Sequence, residues 1–168
     1  MKTSNMIYIV SEDPGTVDAV ALLAELSAAL QAITGSSGTA SFDASDVRVD
    51  NARFVVARDV NGQPLGCGAF RPLGTDTAEL KRMYSRGSMP GVGAAVLAFL
   101  EHQAQQLGFA ALQLETRAVN EKAVAFYERH GYMKIPNYGK YVGKAEAVCF
   151  EKSLRGQFRH SDTHSALP

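Results

Sequence analysis

The 168-residue chain predicts one α/β domain, a mixed and mostly antiparallel seven-stranded sheet with helices on both faces. Short apolar or alternating runs that read as strands are interleaved with longer segments of helical spacing, an order that suits a sheet covered on two sides. The runs Arg53 to Arg58 and Pro64 to Pro72 are joined through Asn61-Gly62, a dipeptide suited to the positive φ angles of a tight hairpin, so this part of the sheet is antiparallel. The stretch Glu79 to His102 begins as a strand, passes Gly87, Gly91 and Gly93, and continues as a helix with Val92, Val96, Leu100 and Ala104 on one face.

In chain order, Met6 to Val10 is the first strand. Ser11 then stands as a capping residue before Glu12-Asp13-Pro14, which suit a helix's first turn. That helix runs through Val17, Val20, Leu22, Leu23, Leu26 and Leu30 to Ile33, where Gly35-Ser36-Ser37-Gly38 stops it. The polar segment that follows, with one short helical turn from Asp43 to Val47, either frames a pocket or is a plain linker. Gly66 and Gly68 inside the second hairpin strand predict a bulge or a close neighbour. Ala78 to Tyr84 completes an antiparallel meander, and its parity puts Glu79, Lys81 and Met83 on one face.

Gly108 closes the helix that begins at Val92. Ala111 to Thr116 is a strand, and Asn120 caps a helix from Glu121 to His130, closed by Gly131. Tyr132 to Ile135 and Ala147 to Leu154 are the last strands, with a tyrosine- and glycine-rich loop from Pro136 to Lys144 between them. The domain therefore occupies 1–154. Residues 155–168 are polar, lack periodicity and read as a loose tail.

Lysine plus arginine equals aspartate plus glutamate at 17 each, so the overall charge recruits neither nucleic acid nor an acidic membrane. Cys67 and Cys149 sit in apolar runs without metal-ligand spacing and read as buried free thiols, and the histidines form no ligand cluster, so no metal is expected. No apolar run near about 18 residues and no signal peptide are evident, which makes the cytoplasm the default compartment.

A strand that empties through glycines onto a helix start aims several unpaired N–H groups and the positive end of the helix dipole at one point. That geometry suits an anion, most naturally a phosphate, although strand, glycine turn and helix is also an ordinary connection.

The segment Ala78-Glu79-Leu80-Lys81-Arg82-Met83-Tyr84 before the glycine loop, together with Asn120-Glu121-Lys122-Ala123-Val124-Ala125-Phe126-Tyr127-Glu128-Arg129-His130-Gly131-Tyr132, closely resembles the Gcn5-related N-acetyltransferase (GNAT) family. The resemblance covers residues 6 to 154, and the second motif is the more specific. It implies the acyl-CoA N-acyltransferase fold and acetyl-coenzyme A (acetyl-CoA) as cofactor. In the family the pyrophosphate sits on the glycine loop, and the pantetheine arm lies in a splayed gap between the fourth and fifth strands. The family loop reads Arg or Gln, two residues, Gly, one residue, then Gly or Ala. Aligning on Gly91 and Gly93 puts Ser88 where Arg or Gln is usual and Met89 where a glycine is common. Pro90 removes one backbone donor, which Arg86 either replaces with its guanidinium or leaves unreplaced as a surface arginine.

Carried over by resemblance, the cofactor-binding positions are Met83, Tyr84, Ser85, Arg86, Ser88, Met89, Gly91, Val92, Gly93, Ala94, Asn120 and Phe126. Met83 to Ser85 would pair with pantetheine and polarise the thioester carbonyl. Tyr127 matches the general-acid tyrosine: an unperturbed phenol titrates near ~10, so it stays protonated at neutral pH and can donate to a thiolate whose acid titrates near roughly 8.5. As a plain helix aromatic it would instead be core. Glu79 stands where some members carry a base for the amine, or is a salt-bridged structural glutamate. Tyr138 and Tyr141 either line the acceptor pocket or pack their loop. The expected activity is N-acetylation of a primary amine on a small molecule or peptide by direct transfer in a ternary complex. A non-catalytic acyl-CoA-binding module with a degenerate loop is the alternative. Dimers are common among similar proteins, so a homodimer is a possible assembly.

Overall fold

The computed structural model describes residues 5–156. Its elements are β1 (Tyr8–Ser11), α1 (Val17–Thr34), β2 (Arg53–Arg58), β3 (Pro64–Pro72), β4 (Thr77–Ser85), α2 (Val92–Gln106), β5 (Ala111–Arg117), α3 (Glu121–Arg129), β6 (Met133–Ile135) and β7 (Ala147–Ser153). The strands form one seven-stranded sheet in the order β1-β2-β3-β4-β5-β7-β6. Every neighbouring pair is antiparallel except β4 and β5. The expected tail lies outside the described residues beyond Gly156.

Local signals set most boundaries. Between β2 and β3, Gly62 takes φ 80° and its N–H donates to Asp59 O at 3.0 Å, while Asp59 Oδ1 accepts from the Asn61 and Gln63 amides. The helix cap is a correction. Thr16, not Ser11, caps α1, its hydroxyl accepting from Ala19 N at 3.4 Å, while Ser11 is the last residue of β1. The expectation of no long apolar run also fails, because α1 carries a mean hydropathy of 1.5 over 18 residues, long and apolar enough to cross a membrane by length and composition. In this fold Ala19, Leu22 and Leu26 of α1 are buried, and Ala19 and Leu22 pack with Phe54, Val56, Cys67 and Ala69 of the sheet.

The opposite face of the sheet carries the larger core, in which Val92, Val96, Leu100 and Ala104 of α2 and Tyr127 of α3 pack on Phe70, Leu80, Leu112 and Leu114. Both thiols are free and buried. The parity expected for β4 holds for Glu79 and Lys81, which ion-pair at 3.3 Å, and fails for Met83. Cys67 pairs with Tyr84 and Ala69 with Lys81, so the ladder shifts across Arg82, which adopts φ 55°. Met83 therefore joins Leu80 on the α2 face, while Tyr84 packs with the α1-side core. Gly68 accommodates the shifted strand: a Cβ there would stand 2.5 Å from Met83 Sδ and 2.8 Å from Val96 Cγ1. A left-handed arginine costs of order 1–3 kcal/mol, which the surrounding packing offsets.

Candidate active site

The parallel pair β4/β5 is in register only over Thr77, Ala78 and Glu79 against Ala111, Leu112 and Gln113. Beyond that point the strands part, and the edge of β4 facing β5 has no ladder partner from Leu80 onward. A cavity of about 350 Å³ opens there. Lys81, Arg82 and Met83 of β4 line it from one side, Glu115 of β5, Asn120 at the N-cap of α3 and Tyr127 of α3 from the other. Leu26 and Leu30 of α1 and Phe42 of the following connection cover it.

The glycine loop leads from β4 into α2. Gly91 takes φ 82° and is the N-cap, and no side chain caps this helix, whereas Thr16 and Asn120 cap α1 and α3. The amides of the first turn thus have no acceptor within the helix. Val92 is buried in the core, Gly93 and Ala94 are half-buried, Ser88 is exposed, and Met89 packs on the core edge. Phe126 of α3 lies 3.5 Å from the point where a Gly93 Cβ would sit, so the two sequence motifs touch. Free first-turn amides, open space at the Gly91 Cβ position and the unpaired β4 edge fit a diphosphate on a polar arm. Arg86 is placed otherwise: its guanidinium donates to Glu25 at 2.9 and 2.7 Å and to Pro64 O, on the α1 side. Tyr84 also donates to Glu25, at 3.2 Å. Ser85 ends β4, its hydroxyl accepting from Gly87 N.

Tyr127 is 8% exposed and packs edge-on against Phe126 and Tyr132. Its hydroxyl has no hydrogen-bond partner among the described residues, and burial pushes the phenol's pKa up. Asn120 lines the cavity, and its Oδ1 accepts from Ala123 N at 3.3 Å, a bond that does not use its side-chain amide nitrogen. Tyr127, Asn120 and Met83 are therefore brought to one space.

Glu79 is 1% exposed and lies in a network. Its Oε1 takes Arg71 Nε at 3.0 Å and Lys81 Nζ at 3.3 Å, and Tyr138 donates a short hydrogen bond to Oε2. Lys81 also donates to the Tyr141 hydroxyl at 3.2 Å. Burial pulls the Lys81 pKa down and Glu79 opposes it; burial and Glu79 together push the Tyr138 phenol up. Tyr141 lines the cavity and stacks edge-on with Tyr138.

Residue-by-residue reading of the sequence missed Arg82, Lys140 and Glu115 on the cavity wall. Glu115 Oε1 is buried without a hydrogen bond, and burial raises the pKa of its carboxyl against the pull of Arg117 and Lys81.

Comparison with known proteins matches this geometry. A curated IAA acetyltransferase of Azospirillum brasilense is 29% identical over 154 residues, which is 88% of this chain and 98% of that protein. A Klebsiella pneumoniae structure assigned as an acyl-CoA N-acyltransferase superposes with TM-score 0.75 at 26% identity, over 90% of this chain and 99% of that one. A GNAT acetyltransferase of Elizabethkingia anophelis, solved with acetyl-CoA bound, shares the fold at TM-score 0.64 and 15% identity, over 88% of this chain and 97% of that one. The sequence model described as "Acetyltransferase (GNAT) family" matches residues 21–132, and with the splayed β4/β5 pair and the uncapped α2 the chain belongs to that family.

Proposed function

We propose that the protein is an N-acetyltransferase that uses acetyl-CoA and acetylates a primary amine of a small molecule or peptide by direct transfer in a ternary complex. The observation that carries this reading is the convergence of the open β4 edge, Asn120 and the unpartnered Tyr127 hydroxyl on one cavity. Bound acetyl-CoA supplies an activated acyl group and a thiolate leaving group. The first-turn amides of α2 hold the diphosphate, and the Met83 to Ser85 edge aligns the arm by backbone hydrogen bonds. Asn120 orients the same arm with the amide nitrogen left free by its capping bond. Tyr127 gives its phenolic proton to the departing sulfur and regains one from the amine nitrogen. Glu79 acts at one remove, as a positioning residue that fixes Lys81 and, through it, the Tyr141 hydroxyl.

The test is release of free coenzyme A with an amine panel, with calorimetry run beside it. Tyr127→Phe is expected to lower kcat at least tenfold and leave acetyl-CoA affinity within threefold; full activity in that variant removes Tyr127 from the reaction. Glu79→Gln is expected to raise KM for the amine more than it lowers kcat. Binding of acetyl-CoA with no transfer to any amine would favour the acyl-CoA-binding module, a reading that Pro90 in the loop and the Glu25-bound Arg86 support.

A further inference from the structure

Charge around the cavity is unbalanced in a way that bears on the acceptor. Lys81 is held by Glu79 and Tyr141, and Arg117 Nη1 by Glu146 at 3.1 Å. Arg82, Lys140 and Lys144 also line the space, and among the described residues none of them has a carboxylate oxygen within the 4.0 Å of an ion pair. Arg82 is the most constrained of the three. Its guanidinium stands 5.5 Å over the Phe42 ring, with one 3.4 Å hydrogen bond to Ser37 O. Burial lowers its pKa, opposed by the Cys67 thiol and by no carboxylate. A half-buried guanidinium without a counter-charge is costly, and an anion on its planar fork recovers that cost.

One carboxylate, Glu115, lines the same cavity. Its buried Oε1 has no hydrogen bond, and its one ion-pair contact is Arg117 Nε at a long 3.9 Å, with Arg117 already shared with Glu146. The Glu115 carboxylate therefore lines the cavity with its charge incompletely matched, which suits a cation bound there. The wall thus offers an unpaired cation on β4 and an incompletely matched carboxylate on β5, past the point where the strands part. The diphosphate has its own place at the α2 start, whereas Arg82 is held from the α1–β2 connection by Ser37 and Phe42. At about 350 Å³, shared with the acyl end of the donor, the space suits a small molecule.

We propose that the acceptor is a small amino acid-like zwitterion, whose carboxylate docks on Arg82 and whose ammonium docks on Glu115. This rests on the transferase reading above and narrows its acceptor to one class.

The experiment compares free amino acids with their methyl esters and with the matching decarboxylated amines, using purified full-length protein. The expected result is at least a tenfold higher kcat/KM for some free amino acid than for its ester. Arg82→Gln should abolish that preference through KM while leaving ester turnover within threefold, and Arg82→Lys should restore part of it. Glu115→Gln should weaken acid and ester alike. Equal use of acid and ester, or an Arg82→Gln loss that is the same for both, overturns the proposal and leaves the transferase reading standing. If no amine releases coenzyme A, the transferase reading fails separately. Calorimetry with the amino acid panel then decides the cavity assignment: binding lost in Arg82→Gln upholds it, and absence of binding to the wild type overturns it.

Discussion

Phe126 on α3 and Gly93 on α2 meet at van der Waals distance, the aromatic ring lying 3.5 Å from where a Gly93 side chain would begin. The contact ties the glycine loop to the helix that carries Tyr127. It also makes a prediction about size. A methyl group at 3.5 Å is ordinary contact, and Ala exceeds Gly in helix propensity by about 1 kcal/mol, so Gly93→Ala should raise Tm. Gly93→Leu must displace Phe126, and is expected to weaken acetyl-CoA binding at least tenfold by calorimetry. Unchanged affinity in the leucine variant would separate the loop from the cofactor.

The glycines of β3 predict two different costs. A Cβ on Gly68 would press on the ends of Met83, Val96 and Leu100, side chains with some freedom to move. A Cβ on Gly66 would stand 2.5 Å from Tyr84 O, which is backbone. Overpacking of a core position costs about 1–3 kcal/mol. Urea denaturation should place Gly68→Ala in that range and Gly66→Ala above it, and the reverse order would mean that β4 is more yielding than its side chains.

Much of this was legible in the letters, and the exceptions share a cause. The β2/β3 hairpin, the buried face of α2 and the Asn120 cap are each specified by residues within one element. The shift at Arg82 is not, because alternation reads straight through a strand, and the room for the bulge comes from Gly68 on the neighbouring strand. Ser11 and Thr16 are both good caps by type, and β1 pairing with β2 through Ser11 decided between them. Glu115 carries no local signal, since a charged residue in an alternating strand reads as solvent-facing. Only remote elements make it part of a cavity wall.

Tyr127 makes a pH prediction. Burial raises its phenol above the usual value near ~10, so the hydroxyl keeps its proton throughout the range in which amines are neutral. The kcat profile at saturating substrates should therefore show no fall with a midpoint near ~10 that depends on Tyr127. An alkaline limb present in the wild type and missing in Tyr127→Phe would show a phenol that ionises earlier than its surroundings dictate.

Glu115 predicts a stability change whose sign depends on pH. Its carboxyl is raised by burial, with Arg117 and Lys81 opposing only in part. A carboxyl raised in the folded state contributes stability that is fully present below its unfolded value near ~4.3 and is lost as pH rises through the folded value. Glu115→Gln removes that dependence and keeps the shape. Its Tm should match the wild type near pH 4 and exceed it at pH 7, by differential scanning calorimetry. An amino acid acceptor should stabilise the wild type more than the variant at pH 7, because an ammonium beside the Glu115 carboxylate balances its charge. A variant less stable than the wild type at pH 7 would show that Arg117, at 3.9 Å, already satisfies the charge.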